Sequence, residues 1–483
     1  MKKTSKGLFA CCIAKRRFAL IVPFMICSTY TVARQQQSTK PNVIVIVSDD
    51  AGYADFGCYG GKEIPTPNID AIAKSGVRFT DAYVSASVCA PSRAGLLTGR
   101  YQQRFGFEHN TSTQVSKGYT LADVGMDLKE QTIGNEMQAN GYRTIAIGKW
   151  HQGDEPQHFP LNRGFDEFYG FTGGHRDFFG YKTKPARENV LYDNREAVAE
   201  SKVTYLTDML TDRATHFIEE NQKKPFFMYL AFNAVHTPMN ARKDLMARYA
   251  HIPDSGRRAY AAMMTSLDDN VGKLLNRLKQ LELDKNTLIV FINDNGGATN
   301  NASDNGLLRG MKGSKWEGGI RVAMMMKWPG QISTGLVYHQ PVSALDILPT
   351  AIASAKGKPK GTLPLDGVNL IPYLKTGNKK EPHQALFWRR GVAAAMRTGN
   401  WKLIRVQDKD TQQVLLFDLK KDLSETNNLA NIYPAQVKKM LYRIQDWEKG
   451  LDTPHWGSSY GGKNQIMKHR METKGRAMER LYP

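Results

Sequence analysis

The 483-residue chain is poor in cysteine, in acid and in long apolar runs. Five cysteines occur, and Cys11, Cys12 and Cys27 all fall in the first 27 residues. Only Cys58 and Cys89 remain, so one bridge is the most that pairing could give. A disulfide-stapled scaffold is excluded. Cys58 reads instead as a buried, inert thiol. No uninterrupted apolar run reaches the ~20 residues a membrane helix needs. No segment repeats at the roughly 20–50-residue period of solenoids and propellers, and no low-complexity tract follows the amino terminus. Acids number 46 against 66 Lys and Arg, a formal +20. That imbalance points to an anionic partner: nucleic acid, a membrane surface, or a sulfated or carboxylated polymer. Apolar residues at 41% and charged residues at 23% exclude a disordered chain. The length suits one large α/β domain with a smaller one.

The amino terminus addresses the compartment. Lys2, Lys3, Lys6, Lys15, Arg16 and Arg17 come with no acid among them. Phe18–Ile26 is a short apolar run broken by Pro23, and Thr31-Val32-Ala33 is a small-residue end. This order predicts a signal peptide over residues 1–33 and an exported protein, periplasmic or secreted, with no stable membrane span. Removing those six cations from +20 leaves the mature chain near +14. The basic balance belongs to the mature protein.

Four short β-branched or apolar runs each end in polar residues. Asn42–Val47 runs into Asp49 and Asp50, and Thr144–Ile147 into Lys149 and His151. Phe226–Ala231 leads to Asn233 and His236, and Leu288–Ile292 to Asp294 and Asn295. Amphipathic stretches at Asn68–Ser75, Asp208–Asn221 and Arg258–Leu281 lie between them. The alternation predicts an α/β fold: a large, mostly parallel mixed sheet with helices on both faces. Ligands in such sheets collect at the carboxyl ends of strands, so four polar strand ends together mark a site. A Lys-, Gly- and Pro-rich stretch at 356–382 marks a boundary. Beyond it, Ala393–Arg397 and Trp401–Val406 around Gly399-Asn400 predict a hairpin. Val414–Leu419 reads as a third strand and Pro434–Trp447 as a helix. The expected division is a catalytic α/β domain over 40–375, a smaller C-terminal antiparallel sheet with one helix over 380–450, and a basic extension over 451–483.

Cys89-Ala90-Pro91-Ser92-Arg93, followed by Leu97-Thr98-Gly99, resembles the signature of the Cys-type, formylglycine-dependent sulfatase family. PNVIVIVSDDAGYADFGCYG, TPNIDAIAKSGVRFTDAYV, GYRTIAIGKWH, LNRGFDEFYGF, HTP, NDNGG, LRGMKGSKWEGGIRV and FDLKKDLSETNNLA resemble the family's blocks in the family's order, from Pro41 to Trp447. The resemblance implies an alkaline phosphatase-like fold and a sulfuric ester hydrolase similar to the carbohydrate sulfatases of the arylsulfatase group. It implies that Cys89 is oxidised to 3-oxoalanine (formylglycine) by a formylglycine-generating, sulfatase-maturating enzyme before the chain folds. Pro91 and Arg93 match the positions that direct this modification, and Arg93 also matches the residue that holds the hydrated aldehyde. Asp49, Asp50, Asp294 and Asn295 match the metal ligands, with residue 89 completing the set. Oxygen donors of this kind suit a hard cation, and the resemblance puts Ca²⁺ ahead of Mg²⁺. Three carboxylates in one spot would repel one another without a cation.

The same resemblance distributes the chemistry. Lys149 would bind sulfate or the diol, and His151 would take a proton from the second hydroxyl. His236 and Lys312 would meet the bridging oxygen, with His236 as the acid; Lys315 competes with Lys312, and the spacing to Glu317-Gly318-Gly319 favours Lys312. The implied route passes through a covalent sulfo-enzyme intermediate that an ordinary serine could not release. His175 and Arg176, in a loop-like segment mixing charged and aromatic groups, are candidates for reading sugar rings and neighbouring anions. Trp316, Trp388, Arg389 and Arg390 are further candidates for a sugar-binding rim, with packing or solvated surface as the alternative for each. The expected substrate is a sulfated polysaccharide or oligosaccharide, an algal galactan such as carrageenan ahead of a glycosaminoglycan. Two other classes stay open: a phosphatase or phosphonate hydrolase using the same pocket, and a non-catalytic polyanion-binding relative. Nucleic acid is not an expected partner, since export and the lack of a binding motif oppose it.

Overall fold

A computed structural model describes residues 40–375, 380–407 and 412–457. The expected signal peptide and the basic extension from residue 458 onward lie outside the described residues.

Asn42–Ser48 is buried along its whole length. A strand covered on both faces reads as an unbroken apolar run, which explains the Val/Ile repeat. Its pleat sends Val43, Val45 and Val47 into one core layer and Ile44 and Ile46 into the other. The first layer also takes Ala90, Ala94 and Leu97 of the helix Cys89–Thr98. The second takes the apolar faces of the helices Leu206–Glu220 and Ser255–Gln280.

Around this strand lies a ten-stranded sheet in the order Leu336–Tyr338, Val77–Phe79, Met324–Lys327, Thr287–Asn293, Asn42–Ser48, Phe226–Ala231, Arg143–Lys149, Glu167–Phe171, Tyr192–Asp193, Glu196–Ala197. The centre, from Thr287–Asn293 to Glu167–Phe171, is parallel. Met324–Lys327 and Tyr192–Asp193 pair antiparallel at its two sides. The fold is therefore α/β with a mostly parallel mixed sheet. The four strands expected from sequence form its centre. The short flanking strands carried too little pattern to be read.

Register sets up the site. Ser48 pairs with Asn293, Val47 with Ala231, and Ala231 with Gly148. The four carboxyl ends finish level, so the residues just beyond them converge. Gly148 is obligatory here: its φ is +94°, and a Cβ would lie 1.9 Å from the Ala231 carbonyl oxygen.

The C-terminal sheet runs Leu386–Arg390, Ala393–Thr398, Trp401–Gln407, Gln412–Asp418 in simple antiparallel order. On one face Met396, Leu403 and Leu416 receive Met440 and Ile444 of the helix Pro434–Glu448. On the other, Trp388, Ala395, Ile404 and Phe417 meet Tyr83, Trp316 and Ile320 of the large sheet's side. Lys402 lies fully buried, 2.8 Å from both Glu317 and Glu425. The small sheet thus falls in the same compact unit as the large one. Cys58 and Cys89 are both free thiols, so the bridge that pairing would allow is absent. Cys58 is half-buried rather than fully buried, and burial, with Asp70 beside it, pushes its pKa up.

Gly148→Ala is expected to destabilise the fold by about 3 kcal/mol, because it combines a steric collision with a left-handed φ. Urea unfolding checks this, and an unchanged midpoint would contradict the level-ended sheet.

Candidate active site

Cys89 opens the helix Cys89–Thr98, directly after the extended Val88. Pro91 falls in the first turn, where a missing N–H costs nothing. Gly99, with φ of +64°, ends the helix by donating its N–H to the Gly95 carbonyl. Every residue of the helix is buried. Its amino end, where the Ala90 N–H donates to Asn110 Oδ1 at 3.1 Å, carries the positive end of the helix dipole and points residue 89 at the strand ends.

There the carboxylates gather. Asp49 Oδ1 lies 3.6 Å and Asp50 Oδ1 4.0 Å from the Cys89 sulfur. The Asp50 N–H donates to Asp294 Oδ1 at 3.3 Å, and Asn295 Nδ2 donates to Asp50 Oδ1 at 2.7 Å. Asp50 has φ of +61° and His151 φ of +58°. Such backbone costs on the order of 1 kcal/mol or more for a non-glycine residue, so the surroundings must enforce it. Asn301 helps by donating from Nδ2 to the carbonyls of both Asp50 and Val235, at 2.9 and 3.0 Å.

Three cations balance the cluster. Lys149 Nζ lies 2.6 Å from Asp49 Oδ2. Lys312 Nζ lies 2.7 Å from Asp50 Oδ1 and 2.9 Å from the Cys89 sulfur. Arg93 reaches Asp294 Oδ2 at 2.8 Å and anchors on the Lys149 carbonyl at 3.1 Å. Burial alone would raise the Asp49 pKa, but Lys149, His236, Arg93 and Lys312 together hold it well below the usual carboxylate range. Asp294 goes the other way, raised by burial and then by the charge on Asp49. Burial pushes the Cys89 thiol up to about 12, despite the lysines beside it. An unmodified thiol there stays protonated near neutral pH and is a weak nucleophile.

The two histidines that line the cleft with residue 89 differ in chemistry. His151 is buried, its Nδ1 has no partner, and burial followed by Lys149 and Arg93 drives its pKa well below the usual histidine value. It is a neutral imidazole. Gly174 makes room for it, since a Cβ there would lie 2.8 Å from His151 Cε1. His236 Nδ1 faces the Thr237 carbonyl at 2.7 Å, and a carbonyl only accepts, so Nδ1 carries a proton. Its Nε2 is turned toward Asp50 Oδ2 at 3.5 Å.

Donor atoms from Asp49, Asp50, Cys89 and His236 all lie within 4.8 Å of one another. Asn295 Oδ1 is buried without a partner, while its amide nitrogen is spent on Asp50. An orphaned carbonyl oxygen beside three carboxylates fits a hard, oxygen-seeking cation.

Cys89, His151 and His236 open into a cleft of about 510 Å³. His175 lines it, its ring 6.3 Å from that of His236. The other expected rim residues are placed elsewhere. Arg176 is completely buried, paired with Glu200 at 2.8 Å and bonded to the carbonyls of Asp177 and Asn189. Trp316 is enclosed, its ring covered by the Arg309 guanidinium at 3.8 Å. Trp388 is 1% exposed and donates from Nε1 to the Val84 carbonyl. Arg389 is paired with Glu108 at 2.7 Å, and Arg390 is half-buried. None of these five lines the cleft. Lys315 points away as well, donating to Ser87 Oγ at 3.2 Å, so Lys312 is the lysine that reaches residue 89. The cleft wall instead includes Asn110, Asp154, Glu155, Glu188 and Asn189. Of these, Asp154 and Glu155 had a signal in the sequence, since they follow His151 within four residues.

Arg93→Ala is expected to cost about 3 kcal/mol, because it leaves the Asp294 carboxylate buried without its partner. Cys89→Ala should cost much less. Chemical denaturation of both variants checks the ranking, and equal losses would contradict the charge-balance account.

The sulfatase family profile matches residues 41–357, and that of the N-sulphoglucosamine sulphohydrolase C-terminal region matches 312–448. N-acetylgalactosamine-6-sulfatase of Rattus norvegicus is 32% identical, over 92% of this chain and 91% of its own. Arylsulfatase A of Homo sapiens is 33% identical, over 84% and 86%. Among solved structures, Ps i-CgsB in complex with k-i-k-neocarrahexaose superposes with a TM-score of 0.81 at 38% identity, covering 88% of this chain and 97% of the other. With the family profile covering about two thirds of the chain and relatives above 30% identity along most of it, the chain belongs to the sulfatase family as a sulfuric ester hydrolase.

Proposed function

We propose that this enzyme is exported and removes sulfate from a sulfated polysaccharide or oligosaccharide, an algal galactan such as carrageenan ahead of a glycosaminoglycan. The observation that carries the reaction is Cys89 at the helix amino terminus, 2.9 Å from Lys312 and among Asp49, Asp50 and His236. Support for the galactan comes from the 38% identity to Ps i-CgsB, determined with a carrahexaose. Export rests on the amino-terminal pattern. No helix among the described residues is long and apolar enough to cross a membrane.

Residue 89, oxidised to formylglycine and hydrated, supplies a hydroxyl nucleophile and a second hydroxyl through which sulfate can leave. Cys89 is 1% exposed in the folded chain. A maturating enzyme therefore has to act before folding. Asp49, Asp50, Asp294 and Asn295 would hold the metal ion; their oxygen donors suit a hard cation, and the family resemblance puts Ca²⁺ ahead of Mg²⁺. It would offset the carboxylates and polarise the sulfate. Lys149 and Lys312 bring positive charge to a group whose negative charge spreads over several oxygens. Burial opposes charge on Lys312, yet Asp50 and its neighbours more than offset that and raise its pKa, so it stays an ammonium. His236 donates a proton to the saccharide oxygen as its bond to sulfur breaks. Neutral His151 accepts the proton that must leave residue 89.

Cys89→Ala should lose sulfate release from an aryl sulfate by at least about 10³-fold while keeping its fold. Chelation should also inactivate the enzyme, and Ca²⁺ should restore it better than Zn²⁺. Parallel assays on sulfate and phosphate monoesters check the reading. Preferred hydrolysis of phosphate, or full activity in a metal-free preparation, would overturn it.

A further inference from the structure

The active cleft does not account for the chain's positive charge. Its lining includes Asp154, Glu155 and Glu188 and no Lys or Arg. The nearby Lys149, Lys312 and Arg93 are committed to buried carboxylates. Residues 380–483, by contrast, contain 19 Lys and Arg against 11 Asp and Glu, a net +8. That is more than half of the mature excess, in under a quarter of the chain. Along the sequence, the excess of positive charge is concentrated in this carboxyl-terminal quarter.

Within that region a cavity of about 380 Å³ lies between the turn at Gly399-Asn400 and the helix Pro434–Glu448. Glu381, Asn400, Trp401, Gln436, Lys439 and Arg443 line it. The Trp401 ring lies 5.1 Å from that of Tyr433, which is 45% exposed. Lys439 is exposed and makes no ion pair among the described residues. Arg443 spends one nitrogen on Thr398 Oγ1 at 3.3 Å. Glu381 is the single acid of the lining.

We propose that this groove is a second binding site for the sulfated saccharide chain, holding one stretch of the polymer while another occupies the active cleft. The inference rests on the saccharide reading above. Each part of the groove has a counterpart in such a ligand. An aromatic face packs on the C–H side of a sugar ring. The Asn400 and Gln436 amides match hydroxyls, which both donate and accept. Exposed Lys439 and half-buried Arg443, which has guanidinium nitrogens beyond the one spent on Thr398, match sulfates. A neutral glycan would leave those two cations unused. Two linked contacts raise the effective affinity for a polymer without altering the reaction of a small ester.

The test uses Lys439→Gln/Arg443→Gln, with carrageenan as the probe. In a Cys89→Ala background, which binds without turnover, the double change should weaken carrageenan binding roughly fivefold at low salt, the loss of two ion pairs near the surface. With Cys89 present, it should leave aryl sulfate hydrolysis and the thermal midpoint unchanged. Unchanged carrageenan binding would overturn the site. So would single-stranded DNA of matched charge displacing carrageenan equally well from the groove, since that describes a general polyanion surface. Failure of the underlying reading shows separately, as wild-type enzyme that releases sulfate from the aryl ester but from no saccharide.

Discussion

Three carboxylates forced together at the level ends of parallel strands are the constraint on which the rest depends. Asp49, Asp50 and Asp294 are all buried, and the register leaves them nowhere else to go. In a low-dielectric interior their mutual repulsion is large unless cations sit among them. Arg93 from the helix, Lys149 from the strand beyond Phe226–Ala231 and Lys312 from a loop supply those cations. The site is assembled by charge as much as by packing. Each cation comes from a different element, so the charge balance exists only when the elements dock.

The Lys312 segment shows how far that requirement reaches. It is fastened behind by Glu317, whose N–H donates to Glu425 Oε2 at 2.7 Å and whose carboxylate meets Lys402. Burial would raise Glu317, but Lys402, Arg321 and Arg397 hold it down at about 2, while burial pushes Glu425 up to about 7. Glu425 and Lys402 belong to the C-terminal region. The small sheet therefore does more than cover the large one, since its buried cation helps fix the loop that carries Lys312 to Cys89.

Much of this was legible in the sequence, for a physical reason. Strands buried on both faces must be unbroken runs of Val, Ile and Phe, so Asn42–Val47 and Leu288–Ile292 announce both themselves and the polar residues just beyond them. The Cys89-Ala90-Pro91-Ser92-Arg93 motif was equally plain. The cleft wall was not. Arg176 looked like an anion reader because sequence shows a residue's charge but not the partner that cancels it, and Glu200 does so. Trp388 looked like a sugar platform, yet its Nε1 is consumed by Val84, 304 residues away. Neither a loop, as at Arg176, nor a short edge strand, as at Trp388, holds a period from which such pairings could be inferred. His175, by contrast, does line the cleft.

A cleft whose walls include Asp154, Glu155 and Glu188, above a charge-balanced cluster that holds Lys149 and Lys312, suits a substrate whose contacts beyond the reacting group are hydroxyls. The most direct measurement is sulfate release, located by NMR, from defined carrageenan and glycosaminoglycan oligosaccharides with fully matured, Ca²⁺-loaded enzyme. The account predicts desulfation at one defined position of a carrageenan unit. Turnover of phosphate esters with no sulfate released from any saccharide would contradict it.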